Sequence, residues 1–145
     1  MVSAPWVVDY VKNLSQQTGL KVMALHPQNQ FEIGCNFKRV CDGGPAEFIN
    51  YIKNAEYVIT ASFHGTVFSI IYQKPFFSLV LGEGGRIKGL LNGAGLGHRI
   101  VTSENLQTQL LYENKDIIEA EKFLENAREI NINFLKSEIS NIKEN

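Results

Sequence analysis

The stretch "ITASFHGTVFSIIYQKPFFSL", residues Ile59–Leu79, decides the fold. An apolar run stops at Thr60, and a polar knot, Ser62-Phe63-His64-Gly65, follows. The chain then turns apolar on nearly every side until Lys74-Pro75. The run before the knot, Tyr57 to Ala61, reads as a strand. His64 to Gln73 reads as a helix carrying Val67, Phe68, Ile70, Ile71 and Tyr72, and a helix apolar most of the way round is buried on most sides. Phe76 to Leu81 is the next strand. Strand, buried helix and strand in succession make one unit of a parallel sheet.

The same alternation extends in both directions. Upstream, Ser3-Ala4-Pro5 opens a helix with Val7, Val11 and Leu14 at helical spacing, and Thr18-Gly19 stops it. Lys21 to His26 is a strand, Pro27 to Asn36 a polar loop, and Phe37 to Cys41 a short strand. Gly43-Gly44-Pro45 opens a helix with Phe48, Ile49 and Ile52 on one face, and Asp42 stands where it can cap that helix. Downstream, Gly82-Glu83-Gly84-Gly85 is a glycine turn. Arg86 to Ala94 is a helix with Ile87, Leu90 and Leu91 inward, and Arg99 to Thr102 is a fifth strand whose arginine is expected to pair with a neighbour. Asn105 to Leu111 has the pattern of a short helix. From Lys115 a long helix places Ile117, Ala120, Leu124 and Ala127 on one stripe, continued with some drift by Ile130, Phe134, Leu135, Ile139 and Ile142. Those residues need cover, either from the sheet or from a second domain. The expected fold is α/β: a Rossmann-like, three-layer parallel sheet in one domain spanning residues 1–145, its strands nearly all apolar as in a sheet buried on both faces.

Bulk properties narrow the function. A chain of 145 residues suits one domain and buries roughly 68–70% of its unfolded surface. With 44% hydrophobic and 20% charged residues it is ordinary globular protein. Its net charge of −1 argues against an obligate nucleic-acid or anionic-membrane binder. There is no apolar run long enough for a membrane span, and "MVSAPWVVDYVKN" lacks the features of a signal peptide. Cys35 and Cys41 are the only cysteines; they form no CxxC and have no histidine nearby for a zinc set, so no metal is expected and both read as reduced cysteines of a cytoplasmic protein, the alternative being a disulfide across a hairpin of the intervening residues.

In sheets of this kind, ligands sit beyond the carboxyl ends of the strands. That singles out Ala61 to Gly65 and Gly82 to Arg86. At Ser62-Phe63-His64-Gly65 the first peptide N–H groups of a helix are unpaired and, with the helix dipole, favour an anion. Gly65 would let a ligand approach the backbone, and His64 can carry a proton near neutral pH. A purely structural role, with Ser62 as a helix cap and His64 hydrogen-bonded, weighs about equally on topology alone. The backbone of Gly84 and Gly85 beside Arg86 can hold an oxyanion, yet the segment matches neither GxGxxG nor a P-loop and is slightly better read as a turn with a surface arginine. Glu83 is the nearest carboxylate, and Lys88 reads as a solvated helix residue. His26 before Pro27 is a weak candidate. His98 falls on the far side of the sheet. Phe37, Tyr51, Phe68 and Phe76 read as core.

One longer segment, "GPAEFINYIKNAEYVITASFHGTVFSIIYQKPFFSL", resembles the polysaccharide pyruvyl transferase family. That family carries a helix ahead of an "ADYVVTDSFHG"-like stretch, then "FSI…KPF", then an arginine opening a helix that ends in a "GL..R"-like turn. The counterparts here are Pro45 to Ala55, Tyr57 to Gly65, Phe68 to Phe77, and Arg86 to Arg99. The resemblance is close over residues 45–101, and the first forty residues fit only in pattern. It implies transfer of the enolpyruvyl moiety of phosphoenolpyruvate to sugar hydroxyls of a polysaccharide or its precursor, forming a pyruvate ketal and releasing phosphate. No further cofactor is implied. His64 matches the family's active-site histidine and would protonate the vinyl carbon, while Arg86 and the backbone around Gly65 would hold phosphate or carboxylate. The resemblance implies a fold like the GT-B glycosyltransferases, of which this chain has room for the C-terminal half. Its partners would be phosphoenolpyruvate, a saccharide acceptor and a missing N-terminal half, so the chain alone would be an incomplete enzyme. A bacterial setting is implied, in the cytoplasm or at the inner membrane surface. Competing readings are a GT-B-like glycosyltransferase or epimerase half that binds a nucleotide sugar, a non-catalytic α/β interaction module, and a plain dinucleotide-binding domain, which the lack of GxGxxG weakens.

Overall fold

The computed structural model describes residues 5–25, 37–40, 43–106 and 114–143. The helices are α1 (Pro5–Thr18), α2 (Pro45–Asn54), α3 (Phe63–Ile71), α4 (Gly85–Gly93) and α5 (Asn114–Lys143). The strands are β1 (Val22–Leu25), β2 (Phe37–Val40), β3 (Val58–Thr60), β4 (Phe76–Leu79) and β5 (Ile100–Val101). Among the described residues all pairings are parallel, as the alternation of elements requires.

The core is organised around β4. All four of its residues are buried, and alternate side chains point to opposite faces. Phe76 joins Ile52, Val58, Ile70, Ile87, Leu91 and Ala120, which come from β3, α2, α3, α4 and α5. Phe77 and Leu79 join Tyr10 and Leu14 of α1 and Val101 of β5. Helices therefore cover both faces of the β3-β4-β5 sheet, which gives the three layers. Phe76 is fully buried, and truncating it to alanine would cost about 3–5 kcal/mol through lost burial and the cavity left behind.

Local chemistry sets the element ends. Ser62, in extended conformation, caps α3: its Oγ accepts the Gly65 N–H at 3.4 Å. Such a cap contributes about 1 kcal/mol. Two hydroxyls buried within the α3 packing are satisfied: Ser69 donates to the Gly65 carbonyl at 2.8 Å, and Thr66 shares a 2.8 Å hydrogen bond with Ser78 of β4. The helix ends where Gln73 adopts a positive φ of 51° and Pro75 follows. α2 starts at Pro45 behind Gly44, which serves as its cap without a side-chain bond; Asp42 lies outside the described residues.

Several expectations change. The strands do not form one continuous sheet: among the described residues, β1-β2 and β3-β4-β5 are separate ladders. β1 is only partly covered, with Met23 exposed, whereas β4 is buried on both faces. The fifth strand begins one residue late, because a 3-10 turn occupies Gly97–Arg99. Asn105 and Leu106 are not helical, and the remainder of that expected helix lies outside the described residues, as do the 27–36 loop, His26 and both cysteines. α5 folds back over the sheet only in its first turns, where Ala120 is buried and Phe123 and Leu124 pack on the core. Beyond them, Ile130, Phe134, Leu135, Ile139 and Ile142 are exposed. Phe76 is core, as expected, whereas Phe68 and Tyr51 are partly exposed.

Candidate functional site

A cavity of about 530 Å³ opens beyond the carboxyl ends of three strands. Leu25 and Val40, the last residues of β1 and β2, form one side. Ser62 and His64, just past the end of β3, form another. The start of α2 closes it with Gly43, Gly44 and Pro45, followed by Phe48, Ile49 and Tyr51; Phe68 of α3 completes the wall. The two separate ladders thus border one cavity. The volume falls within the range for small-molecule sites.

The knot at the head of α3 supplies the polar groups. His64 and Ser62 are both exposed and both line the cavity. Phe63, between them in sequence, points elsewhere: it is half-buried and packs on the core. Its ring meets the His64 ring edge-on at 6.1 Å between centroids. On it sits the guanidinium of Arg86, 5.5 Å from the ring centroid. A cation held over an aromatic face at this range gains about 0.5–1 kcal/mol at an exposed site. Phe63 therefore links the arginine at the start of α4 to the histidine at the start of α3.

Gly65 belongs to the framework rather than to the cavity surface. It is buried, and a Cβ there would overlap Thr60 Oγ1. Its small size serves close packing of α3 on the end of β3, not the approach of a ligand. Gly84 has a φ of 58°, and a Cβ there would overlap Val80 Cγ1. It caps α4 in the left-handed region and so aims the helix that carries Arg86. Gly85 has open space around it. Gly84, Gly85, Arg86, Phe63, Gly65 and Glu83 do not line the cavity; Ser62 and His64 do.

Sequence reasoning passed over Gly43-Gly44 and Tyr51. The signal for the first pair was present, since two glycines between a strand and a helix occupy the same topological position as the Ser62–Gly65 knot. Tyr51 carried no such signal, because one aromatic at helical spacing looks like core. At the opposite end of the sheet, buried Asp116 accepts from His98 Nε2 at 2.7 Å and pairs with Arg99 Nη2. Arg99 also lies over the Phe77 ring at 5.6 Å. This cluster fastens α5 to β5 and stands away from the cavity, as expected for His98, and Arg99 pairs as expected. Among the described residues, no group of three or more His, Cys, Asp or Glu is placed to hold a metal ion, and no helix is long and apolar enough to cross a membrane.

The layers and the cavity define an α/β protein with a cavity at the carboxyl ends of parallel strands. The chain belongs to the polysaccharide pyruvyl transferase family, whose model matches residues 6–82, just over half its length. The match takes in α1, β1 and β2 as well as the knot, so membership extends to the first forty residues, where the sequence had agreed only in pattern. It ends at Gly82, ahead of Arg86. No curated protein and no solved structure matches the chain.

Proposed function

We propose that this protein transfers a pyruvyl group from phosphoenolpyruvate to two hydroxyls of a saccharide, forming a pyruvate ketal and releasing phosphate. The observation that carries the reading is His64: it lies inside the matched family segment and stands exposed on the wall of a cavity at the strand ends. The His64 imidazolium gives a proton to the vinyl carbon C3, leaving C2 electron-poor. A first acceptor hydroxyl adds to C2 and loses its proton. The C2–O bond to phosphate breaks, phosphate leaves with one proton, and a second hydroxyl closes the ketal. One proton enters at C3, two leave the hydroxyls and one departs on phosphate, so the balance closes. A histidine suits this role because it exchanges protons near neutral pH.

The unpaired N–H groups at the start of α3 favour the anionic groups of the donor. Arg86, held on Phe63, stands ready for the phosphate or carboxylate, which a guanidinium can bind through two parallel hydrogen bonds. The backbone at Gly84 and Gly85 supports that arginine. We take the chain as the C-terminal half of a GT-B-like pair, a reading supported by the exposed apolar residues along the outer part of α5. On its own such a half would be a poor catalyst. The product would be a ketal on an exopolysaccharide, capsule or cell-wall polymer, made in a bacterial cytoplasm.

Calorimetric titration with phosphoenolpyruvate, uridine diphosphate and inorganic phosphate tests the reading on the wild type, His64→Ala and Arg86→Ala. Selective binding of phosphoenolpyruvate, weakened by both substitutions, is the expected result. Tighter binding of the nucleotide would overturn it in favour of a glycosyltransferase half.

A further inference from the structure

We propose that the aromatic wall of the cavity, with Tyr51 as its amphipathic member, is the platform for the acceptor sugar ring, so that Tyr51 helps to select the acceptor while the head of α3 holds the donor. This rests on the pyruvyl-transfer reading above. Three observations carry it.

The first is size. A cavity of about 530 Å³ matches a drug-sized ligand, and phosphoenolpyruvate is far smaller than that. Ketal formation also requires acceptor hydroxyls within bonding distance of the donor's C2. Donor and acceptor must therefore share one enclosure, and the space beyond the donor is where the acceptor reaches it.

The second is the division of the lining. Among the lining side chains the one that can carry positive charge, His64, stands beside the Ser62 hydroxyl at the head of α3. Away from the head of α3, the lining includes the side chains of Phe48, Ile49 and Tyr51 of α2, with Leu25 and Val40. A multiply charged donor placed against those apolar groups would lose its hydration without compensation. A pyranose suits them better, because it carries C–H bonds on its faces and hydroxyls at its edge.

The third is the state of the aromatics. Phe48 and Phe68 are locked edge-on to each other, with centroids 6.3 Å apart, and Phe68 stacks on Tyr72. Tyr51 takes part in no such ring pair and in no side-chain hydrogen bond among the described residues, although it lines the cavity. A tyrosine ring attracts C–H groups through its negative face, and its hydroxyl can bond a sugar hydroxyl. One face apolar and one tip polar is the complement of a pyranose.

The test is saturation-transfer NMR and amide-shift titration of the chain with the methyl pyranosides of glucose, galactose and mannose, each with and without phosphoenolpyruvate. Wild type, Tyr51→Ala, Tyr51→Phe and His64→Ala are compared. Expected is transfer to at least one pyranoside, roughly tenfold weaker binding in Tyr51→Ala with phosphoenolpyruvate affinity retained, and the converse in His64→Ala. Tyr51→Phe should keep most of the sugar affinity and lose selectivity among the epimers. Equal loss of both ligands in Tyr51→Ala would mark Tyr51 as structural and overturn the inference. Pyranoside binding indifferent to Tyr51, or no pyranoside binding while phosphoenolpyruvate binds, would overturn it too and leave the donor reading standing. Tyr51-dependent sugar binding without phosphoenolpyruvate binding would sink the donor reading instead and support the platform.

Discussion

Gly65 of α3 lies so close to Thr60 at the end of β3 that a Cβ on the glycine would overlap Thr60 Oγ1 and stand 3.0 Å from Thr60 Cβ. The Thr60 hydroxyl also accepts the Ser62 N–H at 3.0 Å, so it cannot swing aside without cost. This contact brings the head of α3 against the strand end and sets where Ser62 and His64 meet the cavity.

Gly65→Ala should therefore destabilise the fold by about 1–3 kcal/mol, the usual cost of overpacking a tight site. Thr60→Ala removes the overlapping oxygen. Combined with Gly65→Ala it should recover part of the loss, giving a favourable coupling between the two sites. Denaturant midpoints for the two single variants and the double variant measure it. Strict additivity would mean that the contact is not the cause.

Neighbouring glycines of the turn before α4 should behave oppositely. Gly84→Ala places a side chain at a φ of 58° and against Val80, which costs about 1–2 kcal/mol for the left-handed backbone and more for the overlap. Gly85 has a normal φ and nothing near it. Gly85→Ala should be neutral or stabilising by about 0.4–1 kcal/mol, since alanine restricts the unfolded chain. Thermal unfolding of the pair provides the comparison.

Asp116→Ala should cost about 3–5 kcal/mol. Asp116 and Arg99 are both almost fully buried and paired, and removal of the carboxylate takes this partner from a buried guanidinium. Loss of helical signal at a lower temperature in this variant, with His98→Ala much milder because His98 is half-exposed, would identify the buried pair as the fastening of α5.

Stability should fall in alkali through Tyr10. Burial first, and then the neighbouring Tyr57, push the Tyr10 hydroxyl well above its ordinary value of 10.0. The folded state thus holds its proton where the unfolded chain gives it up. The stabilisation is fully present below pH 10 and declines as pH rises beyond it. Burial raises Tyr57 in the same direction, opposed by the Arg99 guanidinium. Urea unfolding at pH 9 and pH 11 should show a smaller difference in Tyr10→Phe than in the wild type. An equal difference would remove Tyr10 from the account.

Much of the fold was legible because burial imposes short periods on the chain. Val58 to Thr60 and Phe76 to Leu79 read as strands, and Ile87 and Leu91 read as the inward face of α4; all hold in the structure. That His64 and Ser62 border the cavity was legible because a polar knot between a buried strand and a buried helix falls at the carboxyl end of the strand whatever the details. The true constraint on Gly65 was not legible, since it depends on how deeply α3 seats on β3. Nor was the partner of Arg99, which lies seventeen residues further on in another element.

What the sequence by itself determined is therefore local: which segments are strands or helices, their parallel sense, and the family to which residues 6–82 belong. These follow from periodicity, capping and residue order, which act over a few neighbours. Only the tertiary structure decided that the described strands form two ladders, that both ladders border one cavity, that Tyr51 lines it, and that Arg86 lies over the Phe63 ring. Each of these is a meeting of side chains from separate elements. Such meetings are set by how whole helices and strands pack, and not by the pattern along any one of them.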